Sequence, residues 1–171
     1  MTHAAQPGQL LEKLKTDLEN LLEQRGIDDP LMIGIHTGGV WLAERLHKML
    51  KIKQPLATLD ISFYRDDFSR IGMNPQVKTS SLPAQVEDCH IILVDDVLQT
   101  GRTIRAAMNE IFDYGRPASI TLACLIERPG RELPIQADVI GQRLELNNHE
   151  EIKLTGPEPL AWEIKRVDEK K

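Results

Sequence analysis

Ile91-Ile92-Leu93-Val94-Asp95-Asp96-Val97-Leu98-Gln99-Thr100-Gly101-Arg102-Thr103 joins an apolar run, two adjacent carboxylates and a turn of small hydroxyl-bearing residues. The run is short and largely β-branched, as in an inner strand of a parallel sheet buried on both faces. Asp95 and Asp96 are then expected at the strand's carboxyl end, where open α/β sheets receive their ligands. Thr100, Gly101 and Thr103 offer two hydroxyls and little bulk. Such a turn exposes backbone N–H groups near a helix N-terminus, the usual cradle for a phosphate. Acids and threonines also occur at ordinary helix starts, so either half alone would mean only a capped helix. Together, directly after a buried strand, they describe a site for a ribose 5-phosphate. The spacing is neither that of a P-loop nor the G-x-G-x-x-G of a dinucleotide fold.

The 171 residues suit one domain with a sizeable core, and an apolar fraction of 41% is ordinary for an α/β protein. Cys89 and Cys124 have no C-x-x-C spacing and read as reduced thiols in or near the core. No signal peptide or membrane span is apparent, so a cytoplasmic location without membrane contact is expected. The formal charge of −5 means that any nucleic-acid contact needs a local basic patch. The five histidines are not spaced for a metal; His36 alone adjoins a candidate phosphate turn.

Leucines at 11, 14, 18, 21 and 22 predict an amphipathic helix over Leu10–Arg25, ending at Gly26. Leu31–His36 reads as a strand, Thr37-Gly38-Gly39 as a turn, and Val40–Leu50 as a helix. Leu56–Phe63 is the next strand. Arg65–Glu87 is polar and long for a connection, either a mobile functional loop or a hairpin. After the Asp95–Thr103 turn, Ile104, Ala107, Met108, Ile111 and Phe112 mark one face of a helix. Ser119–Ile126 is a further strand, followed by short strands and a charged tail from Lys165 expected to fray. Strands alternating with helices imply parallel β-α-β units with right-handed crossovers.

Two other carboxyl edges carry candidates. The amides of Thr37, Gly38 and Gly39 could cap a diphosphate before the next helix. Arg65, in Asp60–Phe68, and Arg128, after the Ser119 strand, are permanent cations placed to meet substrate. Asp66 and Asp67 read equally well as a solvated strand end.

The Ile91–Thr103 run resembles the phosphoribosyl-diphosphate (PRPP) signature of type I phosphoribosyltransferases. His36–Ala43, Leu59–Phe68, Asp113–Ser119 and Arg131-Glu132-Leu133-Pro134-Ile135-Gln136-Ala137-Asp138 follow in the right order. Together they resemble the PyrR family, pyrimidine-operon regulators that are also uracil phosphoribosyltransferases. The resemblance runs from the N-terminal helix to about Ile152. It implies a parallel sheet flanked by helices in a single domain, 1–171, with a small base-binding hood mainly from about residues 128–160. It implies the reaction of uracil with PRPP to give UMP and diphosphate, with Mg²⁺ arriving on PRPP and no metal held by the protein alone. In these terms Asp95 and Asp96 hold the ribose hydroxyls, and Val97, Leu98, Gln99, Thr100, Gly101, Arg102 and Thr103 wrap the 5-phosphate. Thr37, Gly38 and Gly39 take diphosphate, while Arg65, Arg128 and the backbone near Ile152 border the substrate pocket. A homo-oligomer, dimer or tetramer, is implied as well.

Two departures matter. Many family members carry arginine where this chain has Gly38, and Gln99 replaces a common tyrosine. Family members that bind messenger RNA use a basic surface, whose positions here include Gly130, Gln136 and Gln142; Arg131 and Arg143 remain as candidate contacts to an mRNA leader. Catalysis is therefore the leading expectation and RNA-linked regulation the second. A module sensing UMP or PRPP with little turnover is the alternative that Gly38 suggests. A purine or orotate phosphoribosyltransferase fits the PRPP site but not the Arg131–Asp138 segment.

Overall fold

In the computed structural model, which describes residues 3–61, 80–83 and 85–168, the elements alternate as the apolar pattern predicts. They are α1 (Pro7–Arg25), β1 (Leu31–Ile35), α2 (Gly38–Met49), β2 (Ala57–Leu59), β3 (His90–Leu98) and α3 (Arg102–Phe112). β4 (Ser119–Glu127), β5 (Val139–Arg143), β6 (Glu150–Thr155) and β7 (Ala161–Arg166) follow. Five parallel strands form one sheet in the order β2-β1-β3-β4-β5. From β1 the chain first goes outward to β2 and then returns to place β3 on the other side. This reversal puts a topological switch point, and hence a crevice, between the carboxyl ends of β1 and β3.

Alternation along β3 explains the two layers. Ile92 and Val94 join Leu14, Leu18, Leu42 and Leu46 of α1 and α2 in one core. Ile91 and Leu93 join Ile104, Ala107 and Ile111 of α3 in the other. Strand residues buried on both faces have no polar side to present, so the run contains no polar residue before Asp95.

Several boundaries differ from the sequence expectation. β3 does not stop at Val94; it runs through the acid pair to Leu98, because β4 goes on pairing with it as far as Leu98 beside Glu127. β1, by contrast, leaves it at Gly34 beside Val94. α2 begins at Gly38 rather than Val40. β2 is shorter than Leu56–Phe63, and residues 62 and 63 lie outside the described set, as do Arg65, Asp66 and Asp67. Most of Arg65–Glu87 is likewise outside it, but Ser81 comes back antiparallel to Thr58, exchanging N–H···O bonds of 3.0 and 2.9 Å. Of the tail expected to fray from Lys165, the residues Lys165 and Arg166 are instead the end of β7, which pairs antiparallel with β6 up to Arg166 beside Glu150.

The β6–β7 hairpin is held to the sheet domain by few but specific contacts. Ile152 and Leu154 face inward and are buried. Arg45 of α2 donates to the Pro157 carbonyl at 2.8 Å and to Glu158 Oε2 at 2.9 Å. Trp162 Nε1 donates to the Ala5 carbonyl at 3.0 Å. Gln142 completes this strap, accepting from Ala5 N at 2.8 Å and donating to the His3 carbonyl at 3.0 Å. Among the described residues no helix is long and apolar enough to cross a membrane.

The N-terminus of α2 lies directly on β3. A Cβ built on Gly39 would stand 2.5 Å from the Val94 carbonyl oxygen and 3.2 Å from Asp95 Cα, both backbone atoms. Gly39→Ala must push helix and strand apart, and overpacking of this kind destabilises by about 1–3 kcal/mol. Urea unfolding is expected to show that loss. A variant as stable as the parent would mean that α2 and β3 are not in such close approach.

Candidate active site

The step between β1 and β3 opens a cleft of about 630 Å³. Its walls bring together Thr37 and Gly38, all of 95–101, Thr103, Arg128 and the 151–154 segment of β6. Thus the candidate diphosphate turn, the acid pair, the candidate phosphate turn and the base-pocket candidates Arg128 and Ile152 share one cavity. Gly39 stands just behind the wall, under α2. Arg102 is exposed and turned away, its Nε bonded to Glu132 Oε2 at 2.9 Å.

The acid pair is arranged by the strand rather than by a loose turn. Asp95 is 4% exposed, and its Oδ1 accepts the Asp96 N–H at 2.9 Å. Asp96 is half-buried, and its Oδ1 accepts the Val97 N–H at 2.9 Å. Alternation sends the two carboxylates to opposite faces. That of Asp96 lies against Gly38: a Cβ there would overlap Asp96 Oδ2 and lie 2.9 Å from its Cγ. Gly38 thus leaves room for the carboxylate beside it.

Gly101, at φ 91°, turns the chain from β3 into α3 and serves as the helix N-cap. The left-handed region suits glycine, and a side chain here would also press on Ile135 at 3.1 Å. Thr100 Oγ1 accepts the Arg102 N–H at 3.1 Å, tightening the turn. Helix-start amides and threonine hydroxyls then present an electropositive rim to the cleft.

Cation and thiol chemistry are set by burial. Arg128 is 5% exposed; its Nη2 donates to the Asn147 carbonyl at 3.2 Å, while its Nε has no partner among the described residues. Burial lowers its pKa, and Glu151 and Glu150 oppose that change. Burial pushes the Cys124 thiol well up, and the charges of Asp95, Asp96 and Glu127 push it further, so it is no nucleophile.

Arg131 and Arg143 both turn to Glu127. Arg131 Nη2 meets Oε1 at 2.5 Å, and Arg143 Nε and Nη2 meet Oε2 at 2.9 and 2.8 Å. Sequence reading assigned no role to Glu127, although a carboxylate directly after the apolar run Leu122–Ile126 was the available signal. It also missed Trp41 and Ile104 as cleft walls. Among the described residues no group of three metal-ligating side chains occurs.

The profile of the phosphoribosyl transferase domain matches residues 6–157. The Bifunctional protein PyrR of Nitrosococcus oceani is 60% identical over 161 residues, covering 93% of this chain and 91% of its own. The chain belongs to the phosphoribosyltransferase family, in its PyrR branch. The Bifunctional protein PyrR of Pseudomonas aeruginosa PAO1 is similar at 56% identity over 159 residues, covering 93% of this chain and 94% of its own. Solved structures share the fold. A purine phosphoribosyltransferase from Pyrococcus horikoshii aligns with a TM-score of 0.59 at 25% identity, over 78% of this chain and 82% of its own. Hypoxanthine phosphoribosyltransferase of Trypanosoma cruzi aligns with 0.65 at 19%, over 88% and 79%. The type I phosphoribosyltransferase fold expected from Ile91–Thr103 is the one observed.

Burial alone would raise the Glu127 pKa, but hydrogen bonds from Arg131 and Arg143 and their charges outweigh it and hold the carboxyl below its ordinary value of 4.5. A depressed folded-state pKa stabilises above the unfolded value, and that contribution is lost as pH falls through the folded value. Glu127→Gln is therefore expected to lower stability by about 1–3 kcal/mol at neutral pH. The gap to the parent should begin to narrow as pH falls below the ordinary value and should close only once pH has passed the lowered folded-state value. Denaturant titrations across pH check this; a pH-independent gap would contradict the ion-pair assignment.

Proposed function

We propose that this chain catalyses transfer of the phosphoribosyl group of PRPP to uracil, releasing diphosphate and forming UMP. The observation that carries the proposal is the shared cleft. One cavity holds an acid pair, a helix-start phosphate turn, a second glycine turn and a buried cation beside a strand backbone, all at the sheet's switch point.

Roles follow from chemistry and position. The turn at 97–103 takes the 5-phosphate on amides and on the Thr100 and Thr103 hydroxyls. The carboxylates of Asp95 and Asp96 accept hydrogen bonds from the ribose hydroxyls. Asp96 also faces the side where positive charge develops as diphosphate leaves the anomeric carbon, and it stabilises that charge. Thr37 and Gly38 bind the departing diphosphate through backbone amides, and Gly39 is assigned to it on the resemblance alone. Arg128 has a buried donor in need of an acceptor, and leaving such a group unmatched costs about 1–3 kcal/mol; a carbonyl oxygen of uracil would supply one. The β6 backbone at Ile152 borders the same base, so residues 128–160 contribute the hood. Arg65 is assigned to this pocket on the resemblance alone.

Mg²⁺ binds through one or two carboxylates plus substrate phosphates and keeps several waters. The Asp96 carboxylate beside the diphosphate turn is a donor of that hard, anionic kind, and the ion would neutralise charge on the leaving group. The chain's own contribution is to orient sugar, base and diphosphate in line and to exclude water. We place the reaction in the cytoplasm, which the two free thiols support.

Regulation through an mRNA leader ranks second. Arg131 and Arg143 share one carboxylate, so the trio carries a single net positive charge. Gln142 is engaged with His3 and Ala5. A footprint this thin supports weak attraction to phosphates.

Asp96→Asn tests the proposal. UMP formation is expected to fall by about 10²–10³-fold, the scale of losing one preorganised charge at the reacting centre. The melting temperature should stay near that of the parent, because Asp96 is only half-buried. A variant with parental turnover would remove the assignment. A parent that binds UMP tightly without turning over would favour a nucleotide sensor.

A further inference from the structure

None of the described residues 129–135 lines the cleft, yet this loop is bonded to the phosphate turn along its length. Arg131 Nη1 donates to the Gln99 carbonyl at 3.0 Å, and its Nε donates to the Ile135 carbonyl at 2.8 Å. The N–H groups of Glu132 and Leu133 both donate to the Thr100 carbonyl, at 3.0 and 3.1 Å. Ile135 and Leu133 pack beside Gly101, and Gln99 lies against Gly130. The third arm of Arg131 reaches Glu127, which sits in register with Leu98 at the root of the turn. One guanidinium thus ties the root of the turn to its crest and to the loop that supports it.

The direction of these bonds bears on the cleft. A planar trans peptide points its C=O and the following N–H in opposite directions. Turning the Gln99 carbonyl toward Arg131 turns the Thr100 N–H the other way. Turning the Thr100 carbonyl toward Glu132 and Leu133 does the same for the Gly101 N–H. Thr100 and Gly101 both line the cleft. The supporting loop therefore takes up the turn's carbonyls and leaves its amides facing the position of an anion.

We infer that Arg131 is a positioning residue for the 5-phosphate. It acts through the Gln99 carbonyl, is anchored by Glu127, and touches no reacting atom. Its side chain is only 27% exposed, and its three bonds run to Gln99, Ile135 and Glu127. The inference rests on the reading of 97–103 as the phosphate turn.

Arg131→Gln and Arg131→Lys provide the test, compared with the parent for affinity toward ribose 5-phosphate and uridine and for KM of PRPP and of uracil. Lysine keeps the charge near Glu127 but lacks the planar fork that reaches Gln99 at the same time. Both variants are expected to bind ribose 5-phosphate about tenfold more weakly and to raise KM for PRPP similarly, the scale of one charge-assisted hydrogen bond. Uridine affinity and KM for uracil should stay within about twofold. Arg131→Lys should melt near the parent and keeps the test open if Arg131→Gln fails to fold. Unchanged ribose 5-phosphate affinity in the variants would overturn the role of Arg131 while leaving the phosphate turn intact. Equal weakening toward ribose 5-phosphate and uridine would also overturn it, as general damage. A parent that does not bind ribose 5-phosphate would overturn the phosphate turn itself, and this inference with it.

Discussion

The ladder between β3 and β4 continues to Leu98 beside Glu127, whereas the ladder between β1 and β3 ends at Gly34 beside Val94. This inequality leaves Asp95 to Leu98 with a strand neighbour on one side only. On the open side the chain brings in the start of α2, and the absence of a side chain at Gly38 and Gly39 lets that helix settle on the strand. An acid pair inside a ladder is held by backbone bonds, so its carboxylates are aimed without a rigid loop. The phosphate turn inherits the same rigidity, because it grows from β3 and feeds directly into α3. Sites built on strands and helix starts are positioned more tightly than sites on free loops.

The electrostatics of the cleft follow from that geometry. A substrate bearing several phosphates enters a chain of net charge −5, past Asp95, Asp96 and Glu151. Attraction from the whole protein therefore cannot gather it, and on the proposed reading local groups of the cleft do so. On that reading the carboxylates of the same cleft meet the opposite requirement, the positive charge that develops on the sugar as diphosphate departs. Nearby cations are not all available for this task. Glu127 draws Arg131 and Arg143 together, and Arg131 spends its remaining donors on carbonyls.

Much of this was legible in the residues. The apolar run to Val94 identified an inner parallel strand, and the spacing of Ile104, Ala107 and Ile111 identified the helix packed on it. That Asp95, Asp96, Thr100, Gly101 and Thr103 would gather at one carboxyl edge was readable, because they directly follow the apolar run. The end of β3 was not readable, since it depends on how far β4 extends, and a strand's own sequence does not state the length of its neighbour. The end of β7 at Lys165 and Arg166 was hidden because these side chains are charged and exposed, leaving no alternation to detect. Gln142 looked like a lost cation and proved to hold the segment at His3 and Ala5. Arg131, read as a candidate RNA contact, bonds the Gln99 carbonyl and Glu127. Both partnerships join residues far apart in the chain, and a polar side chain does not announce which distant carbonyl it will meet.

A crystal structure of the UMP complex tests most directly whether the strand step is the ribose 5-phosphate site. The expected density places the 5-phosphate within hydrogen-bond distance of the amides and hydroxyls of 99–103. The ribose hydroxyls should lie on Asp95 and Asp96, with the base between Arg128 and Ile152. Phosphate density anywhere else, such as between Arg131 and Arg143, would contradict the assignment.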